Sequence, residues 1–247
     1  YLCALSAGAC ARGDLPCELV ISGDEPAHKE GKHLLAQLLG TKLHFLGPCD
    51  GDTRNRHMEE LLNKYQSEGE RPFAVRNGAT TGRGALGYTS AVVELYHQCQ
   101  ELGLQGMTLF APGGNGGVAT GLVYGNALMG NPFQLVIVSV EDDRSTLERH
   151  IRETIQEAEK ITGIPMEEPA SGVWEITDAY RGDGWGQNTR ESVQEVLDFP
   201  RREGIFIENV YNSKVLVGMK DWVASGRVTG PVCYLHTGGL GSLFAQY

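Results

Sequence analysis

The sequence predicts an α/β protein of two domains with mainly parallel sheets, and three observations carry that prediction. Short apolar, β-branched runs alternate with stretches of helical periodicity along the chain, the pattern of strands joined by crossover helices. A glycine-dense segment, Ala111-Pro-Gly-Gly-Asn-Gly-Gly-Val-Ala-Thr-Gly, joins one such strand to the helix after it, where parallel sheets bind ligands. A Gly/Thr-rich stretch near Asn77 to Gly87 divides the alternation into two series. Residues 1–76 are therefore expected in a small domain and 77–247 in a large one.

The first series opens with Tyr1 to Ala11, small and apolar, which reads as a buried helix already under way because no capping residue precedes it. With no initiator Met, the chain is expected to continue from an upstream part. Glu18-Leu-Val-Ile-Ser is a β-branched run ending at Gly23 and reads as a buried strand. His28 to Leu39 has Leu34, Leu35, Leu38 and Leu39 at helical spacing and stops at Gly40. Lys42 to Leu46 is a strand, Thr53 to Glu68 a charged amphipathic helix, and Pro72-Phe-Ala-Val-Arg a further strand candidate. In the second series Tyr88 to Leu102 is a helix, Met107 to Ala111 a strand, Val118 to Met129 a helix and Gln134 to Val140 a strand. Arg144 to Ile161, Thr189 to Phe199 and Ser213 to Ala224 are helices, and Pro231 to His236 is the last strand.

Composition narrows the function. Hydrophobic residues are 41% and charged residues 21% of 247, enough to form a core, which excludes the low-hydrophobicity class of disordered chains. The net charge of −10 disfavours nucleic acid as a partner, and Arg201-Arg202 reads as a solvated helix end. No apolar run reaches the roughly eighteen residues of a membrane span. The six cysteines, Cys3, Cys10, Cys17, Cys49, Cys99 and Cys233, form no CxxC pair and have no zinc spacing with histidine. They read as buried free thiols of a reducing compartment, with the cytoplasm expected and an organelle leader left open. No HExxH, no GxSxG and no histidine pair at metal spacing occurs, so no metal is expected. The pairs Glu59-Glu60 and Asp142-Asp143 read as solvated helix faces.

Four segments carry chemistry. Gly113, Gly114, Gly116 and Gly117 surround Asn115 between a strand and a helix. Glycines there let backbone N–H groups converge, and the helix N-terminus adds partial positive charge, a combination that holds a phosphate. No Gly-Lys-Ser/Thr follows, so the loop is not a P-loop, and a flexible surface loop is the alternative reading. Leu235-His-Thr-Gly-Gly-Leu-Gly places the Thr237 hydroxyl at the carboxyl end of the last strand, with an ordinary tight turn as the alternative. Gly184-Trp-Gly-Gln-Asn sets Trp185 between glycines, either covering a planar ligand or packing on the core. Asn209-Val-Tyr-Asn-Ser-Lys puts Tyr211 at a helix entrance, a position that is usually structural.

Taken in order, these segments resemble the 1-aminocyclopropane-1-carboxylate deaminase and D-cysteine desulfhydrase family of pyridoxal 5'-phosphate (PLP) enzymes, which has the tryptophan-synthase-β type of fold. Gly31-Lys-His-Leu-Leu-Ala-Gln-Leu-Leu-Gly-Thr-Lys-Leu-His, Pro72 to Gly78 and Gly84-Ala-Leu-Gly-Tyr resemble segments of its helices and loops. Gly113 to Gly121 resembles its phosphate loop, Asn209 to Lys214 its Asp-Pro-Val-Tyr segment, and His236-Thr-Gly-Gly matches directly. The resemblance runs essentially from end to end. It implies that Gly113, Gly114, Asn115, Gly116 and Gly117 bind the phosphate through backbone amides, and that Asn212 and Thr237 lie near the pyridine nitrogen. It implies Tyr211 as nucleophile or proton-transfer group and Trp185 as a second residue of the catalytic site, a small amino acid as substrate, a keto acid and ammonia as products, and a homodimer.

The departures from the family pattern also inform. Val118 and Gly113 stand where threonines are usual, Trp185 where a tyrosine is usual, and Asn212 where deaminases carry Glu and desulfhydrases Thr. The Schiff-base lysine of the family belongs in a Gly-Asn-Lys context ahead of Tyr1, and none of Lys29, Lys32, Lys42, Lys64, Lys160, Lys214 or Lys220 sits in one. A non-catalytic structural or ligand-binding protein on the same fold is the alternative those departures leave open.

Overall fold

The computed structural model describes residues 2–28, 31–169 and 171–243. The chain divides into one compact unit through Arg76 and a second from Asn77.

The first unit holds helix α1 (Leu2–Arg12), strand β1 (Glu18–Ile21), helix α2 (Gly31–Leu38), strand β2 (Lys42–Phe45) and helix α3 (Gly51–Ser67). β1 and β2 pair in parallel, Glu18 opposite Lys42 and Ile21 opposite Phe45. The Glu18 carboxylate ties three elements together: it accepts from Tyr65 of α3, from Lys42 and, at 2.7 Å, bonds His44 Nε2. Asp50 caps α3, its Oδ1 accepting from Thr53 N at 2.8 Å, which satisfies one donor that the helix start leaves open.

The second unit is built on a four-stranded parallel sheet. Its elements are α4 (Gly82–Leu102), β3 (Thr108–Gly113), α5 (Gly117–Leu128), β4 (Gln134–Ser139), α6 (Arg144–Thr162), β5 (Trp174–Thr177), α7 (Arg190–Glu203), α8 (Asn212–Ala224), β6 (Val232–Tyr234) and α9 (Leu240–Leu243). The strand order is β5-β4-β3-β6. β3 is buried throughout. Leu109 and Ala111 of β3, with Leu135 and Ile137 of β4, pack in one cluster with residues of α4, α5 and α6. The alternate residues Phe110, Val136 and Val138 pack with Val215 and Trp222 of α8. Both faces of the sheet are therefore covered, as the continuous apolar runs of β3 and β4 require.

Several sequence expectations are corrected. Pro72 to Arg76 forms no strand, and Phe73 and Val75 are 73% and 48% exposed; no neighbouring strand pairs with the segment, so apolar alternation alone does not make it one. β5 is a strand the sequence reading passed over: it is short, lies at the sheet edge and has a charged residue, Glu175, in its middle. α4 begins at Gly82 rather than Tyr88, because Thr81 caps it by accepting from Gly84 N and because Gly82 packs against α6, where an added Cβ would lie 2.4 Å from Ala158 N. α7 runs past Phe199 through Pro200 to Glu203. α1 is not a buried helix, since Ala7 alone of its residues is buried. Cys99 is the buried thiol; Cys3 is exposed and the other four are half-buried, all free. Asp143 is exposed, as expected, and is also the N-cap of α6, whereas Asp142 is half-buried and pairs with His150 at 3.4 Å. Arg201 and Arg202 lie in the last turn of α7, exposed, beside Asp198. Among the described residues no helix is long and apolar enough to cross a membrane, and no cluster could hold a metal ion.

Helices α4 and α5 meet through glycine. A Cβ on Gly121 would lie 2.2 Å from Ala85 O and 2.6 Å from Tyr88 Cβ, whereas one on Gly87, in the same α4 helix, would meet nothing. Gly121→Ala is expected to destabilise the protein by about 3 kcal/mol through overpacking. Gly87→Ala is expected to stabilise it by about 0.5–1 kcal/mol, through helix propensity alone. Denaturant titration checks both, and the same sign for the two changes would contradict this account of the α4–α5 contact.

Candidate functional site

The glycine loop leaves β3 at its carboxyl end and enters α5. Gly113 is fixed by packing: an added Cβ would lie 2.5 Å from Leu147 Cδ2 and 2.8 Å from Ile137 Cγ2, so there is no room for a threonine. Gly116, at φ 93°, turns the chain into the helix as its N-cap and offers no side-chain cap. By contrast Asp50, Thr81, Asp143 and Thr189 cap α3, α4, α6 and α7 with their side chains. No N–H from Gly114 through Gly117 donates to a loop carbonyl or a side chain among the described residues. The start of α5 is therefore a set of open donors with the helix dipole behind it, which suits an anion. Val118 is half-buried and packs against the apolar cluster rather than adding a hydroxyl to the loop. The Asn115 amide faces the Gly78–Thr80 turn, its Nδ2 3.0 Å from the place of a Cβ on Gly78.

Tyr211 is brought to this loop. Its ring carbon Cε1 lies 3.2 Å from the place of a Cβ on Gly114, so the ring sits close against the glycine and a larger residue would press on it. The Tyr211 hydroxyl accepts from Trp185 Nε1–H at 2.8 Å, and Trp185 is 55% exposed. Burial pushes the Tyr211 phenol upward; the Trp185 bond opposes that, and the carboxylates of Glu141 and Glu208 add to it.

Below Tyr211 sits a carboxylate that the sequence reading missed. Glu208 is buried, and its oxygens accept from the N–H groups of Val210, Tyr211 and Asn212 and from Asn212 Nδ2. It acts as the cap of α8, three residues ahead of Tyr211, a spacing that could have signalled it. Asn212 Nδ2 also donates to Gly238 O at 2.7 Å, and its Oδ1 accepts from Tyr234 Oη and Thr237 N. An amide side chain has two donor and two acceptor positions, and all four are used. Asn212 therefore does not present a free group to a ligand; it pins the 236–239 turn. The Thr237 hydroxyl makes no hydrogen bond among the described residues, and is the group of this turn left to a ligand. His236 Nδ1 accepts from Gly238 N, which leaves Nε2 to donate to Phe206 O at 2.9 Å.

Two further side chains escaped the sequence reading. Glu141, two residues past β4, places Oε2 3.7 Å from the Cβ position of Gly114. Burial and the neighbouring Asp142 push its carboxyl above the ordinary range, and His150 pulls the other way. Lys214, noted in the sequence only as unsuited to a Schiff base, is buried and donates to the carbonyls of Arg181 and Gly184. The structure thus gathers Gly114, Tyr211 and Trp185 at one place and links Asn212 to Thr237; Asn115 points toward Gly78.

Comparison with known proteins bears on the family and the fold. The family model described as pyridoxal-phosphate dependent enzyme matches residues 2–238. A curated protein of Pyrococcus abyssi (strain GE5 / Orsay), described as "Putative 1-aminocyclopropane-1-carboxylate deaminase", is 25% identical over 226 residues, which are 92% of this chain and 67% of that protein. Among solved structures, an ACC deaminase homologue superposes with a TM-score of 0.85 at 24% identity, over 99% of this chain and 72% of its own. The processed form of threonine deaminase isoform 2 from Solanum lycopersicum gives 0.62 at 12% identity, over 95% of this chain and 65% of its own. These likenesses show the fold, that of PLP-dependent enzymes of the tryptophan-synthase-β type.

Glu141 yields a test of the site's electrostatics. A carboxyl whose folded pKa lies above its unfolded value, here 4.5, holds its proton more tightly in the folded chain. Stability then falls as pH rises from the unfolded value through the folded one. Glu141→Gln is expected to raise the melting temperature at neutral pH by about 2 °C and to change little below about pH 4. Thermal unfolding at the two pH values checks this, and an equal change at both would mean that ionisation of Glu141 is not the cause.

Proposed function

We propose, because this chain belongs to the pyridoxal-phosphate dependent enzyme family, that it is a deaminase or desulfhydrase-like lyase of a small amino acid, releasing a keto acid and ammonia. The observation that supports this reading most is the seating of Tyr211 on Gly114 with its oxygen held by Trp185.

PLP, when bound, supplies the electron sink for charge developing at the substrate's α-carbon. The open N–H groups at Gly114 to Gly117 and the start of α5 would hold its phosphate. The Thr237 hydroxyl would meet the ring nitrogen as a neutral partner. Tyr211, pushed upward by burial, keeps its proton at neutral pH. The indole N–H of Trp185 can only donate, so it occupies an acceptor position of Tyr211 and leaves the phenol O–H to point elsewhere. Tyr211 in this arrangement is a proton donor to a leaving group rather than an attacking oxygen. That favours β-elimination over opening of a cyclopropane ring. With D-cysteine, the α-carbon would give its proton to the Schiff-base lysine of the family, the Cβ–S bond would break with the Tyr211 proton going to sulfur, and hydrolysis of the remaining three-carbon enamine would give pyruvate and ammonia. A homodimer in the cytoplasm belongs to the same reading, from the resemblance and from the free thiols.

The protein expressed from its complete gene and supplied with PLP is expected to form keto acid and sulfide from D-cysteine, and less product from 1-aminocyclopropane-1-carboxylate. No keto acid from either substrate would sink the proposal. Tyr211→Phe is expected to lower kcat by about 100-fold or more, the ordinary worth of a positioned proton donor, with cofactor binding retained. A Tyr211→Phe protein of undiminished kcat would remove Tyr211 from the reaction.

A further inference from the structure

Lys214 is buried to 1% of its surface in the first turn of α8, three residues after Tyr211. A lysine so placed needs partners, because an ammonium taken out of water without them is costly. Its Nζ donates to Arg181 O at 2.6 Å and to Gly184 O at 3.0 Å. These two carbonyls bracket the tight turn that leads into Trp185, where Gly182 and Gly184 both adopt positive φ, 64° and 123°. On its other side this turn is held by Arg181, whose guanidinium donates to Glu141 O at 3.1 Å. Trp185 itself is more than half exposed and reaches inward through its indole N–H to Tyr211. Little packing fixes an indole so exposed, so the position of that N–H depends on the backbone that carries it.

We infer that Lys214 is a positioning residue of the candidate site: it clamps the carbonyls of Arg181 and Gly184 so that the indole N–H of Trp185 is held on the Tyr211 hydroxyl. The start of α8 thus aims the phenol through the backbone of its N-cap, Tyr211, and within its first turn anchors the loop that supplies the phenol's hydrogen-bond donor. The inference deepens the reading of Tyr211 given above, yet the clamp is a property of the protein without cofactor, so the two can fail separately.

The experiment is nuclear magnetic resonance of the indole N–H groups of Trp174, Trp185 and Trp222 in the 15N-labelled, cofactor-free protein. Trp185→Phe assigns its signal by loss, and Tyr211→Phe should shift that signal because its acceptor is gone. Lys214→Met is expected to shift the Trp185 signal in the same sense as Tyr211→Phe, and to speed exchange of its hydrogen with water by about tenfold or more. The signal of Trp222, whose indole is in the core against Phe110, should stay in place, which separates a released loop from a damaged fold. In the Tyr211→Phe background, Lys214→Met should add no further shift at Trp185. An unmoved Trp185 signal in folded Lys214→Met protein overturns the inference. If Lys214→Met does not fold, Lys214→Gln, whose shorter amide can satisfy only one carbonyl, must show a smaller displacement in the same sense, and an unmoved signal there overturns the inference equally. With the cofactor-loaded enzyme, loss of D-cysteine turnover in Tyr211→Phe but normal indole signals in the lysine variants would retain the proton-donor reading and discard the clamp.

Discussion

The buried carboxylate of Glu208 is the interaction on which the candidate site rests. Three consecutive N–H groups, of Val210, Tyr211 and Asn212, end on it, as does the Asn212 side chain. A charge taken out of water costs several kcal/mol unless it is matched by donors. Here the donors are those that the start of α8 would otherwise leave unpaired, so the requirements of the carboxylate and of the helix cancel. Removing Glu208 would orphan all of them together. Its geometry also reaches across to the last strand's turn: a Cβ on Gly239, at φ 94°, would lie 2.5 Å from Glu208 Cγ. The turn bearing Thr237 can approach only because glycine stands there. The direction of Tyr211, the saturation of Asn212 and the seat of the 236–239 turn thus share one cause.

The glycines of the loop after β3 divide by what they make room for. Gly113 makes room for Leu147 and Ile137, Gly121 for α4, and Gly117 lies against Thr80, with Oγ1 3.3 Å from its Cβ position. These are demands of helix and sheet packing. Gly114 and Gly116 answer to other needs: one admits the Tyr211 ring, the other turns the chain at φ 93° to begin an uncapped helix. Glycine density in the sequence therefore overstates the evidence for a ligand. The missing cap on α5 is the stronger sign, because α3, α4, α6 and α7 have side-chain caps and this one leaves its donors open.

What could be read from the sequence was what local pattern determines. The continuous apolar runs of β3 and β4 and the amphipathic α6 emerged within a residue or two of their bounds, because burial on both faces, or on one stripe, is written in consecutive residues. Tyr211, Trp185 and the glycine loop were found because they occur in distinct local contexts. Pro72 to Arg76 shows the opposite case: its alternation suits a strand, but a strand exists only if another pairs with it. Glu141 and Lys214 carried no local sign of their place for the same reason, and Glu208 only its spacing to Tyr211. A charged residue beside a strand end or in a first helical turn is ordinarily solvated, and only the distant partners Gly114, Gly239 and Arg181 give these three a place in the site.

Trp185, where the resemblance leads one to expect a tyrosine, has a physical consequence for Tyr211. Two facing phenols can each donate to the other, so their shared hydrogen bond has two directions and the acid of the pair is not determined. An indole has a donor and no acceptor. Once its N–H rests on the Tyr211 oxygen, one direction remains and the phenol must send its own proton elsewhere. Burial and the Glu141 and Glu208 carboxylates keep that proton in place. The losses at Gly113 and Val118 do not oppose this, since a phosphate held by backbone N–H groups and a helix dipole does not require side-chain hydroxyls. On the proposed reading, these residues leave the donors at the start of α5 open and narrow Tyr211 from a group that could attack or protonate to one arranged to protonate.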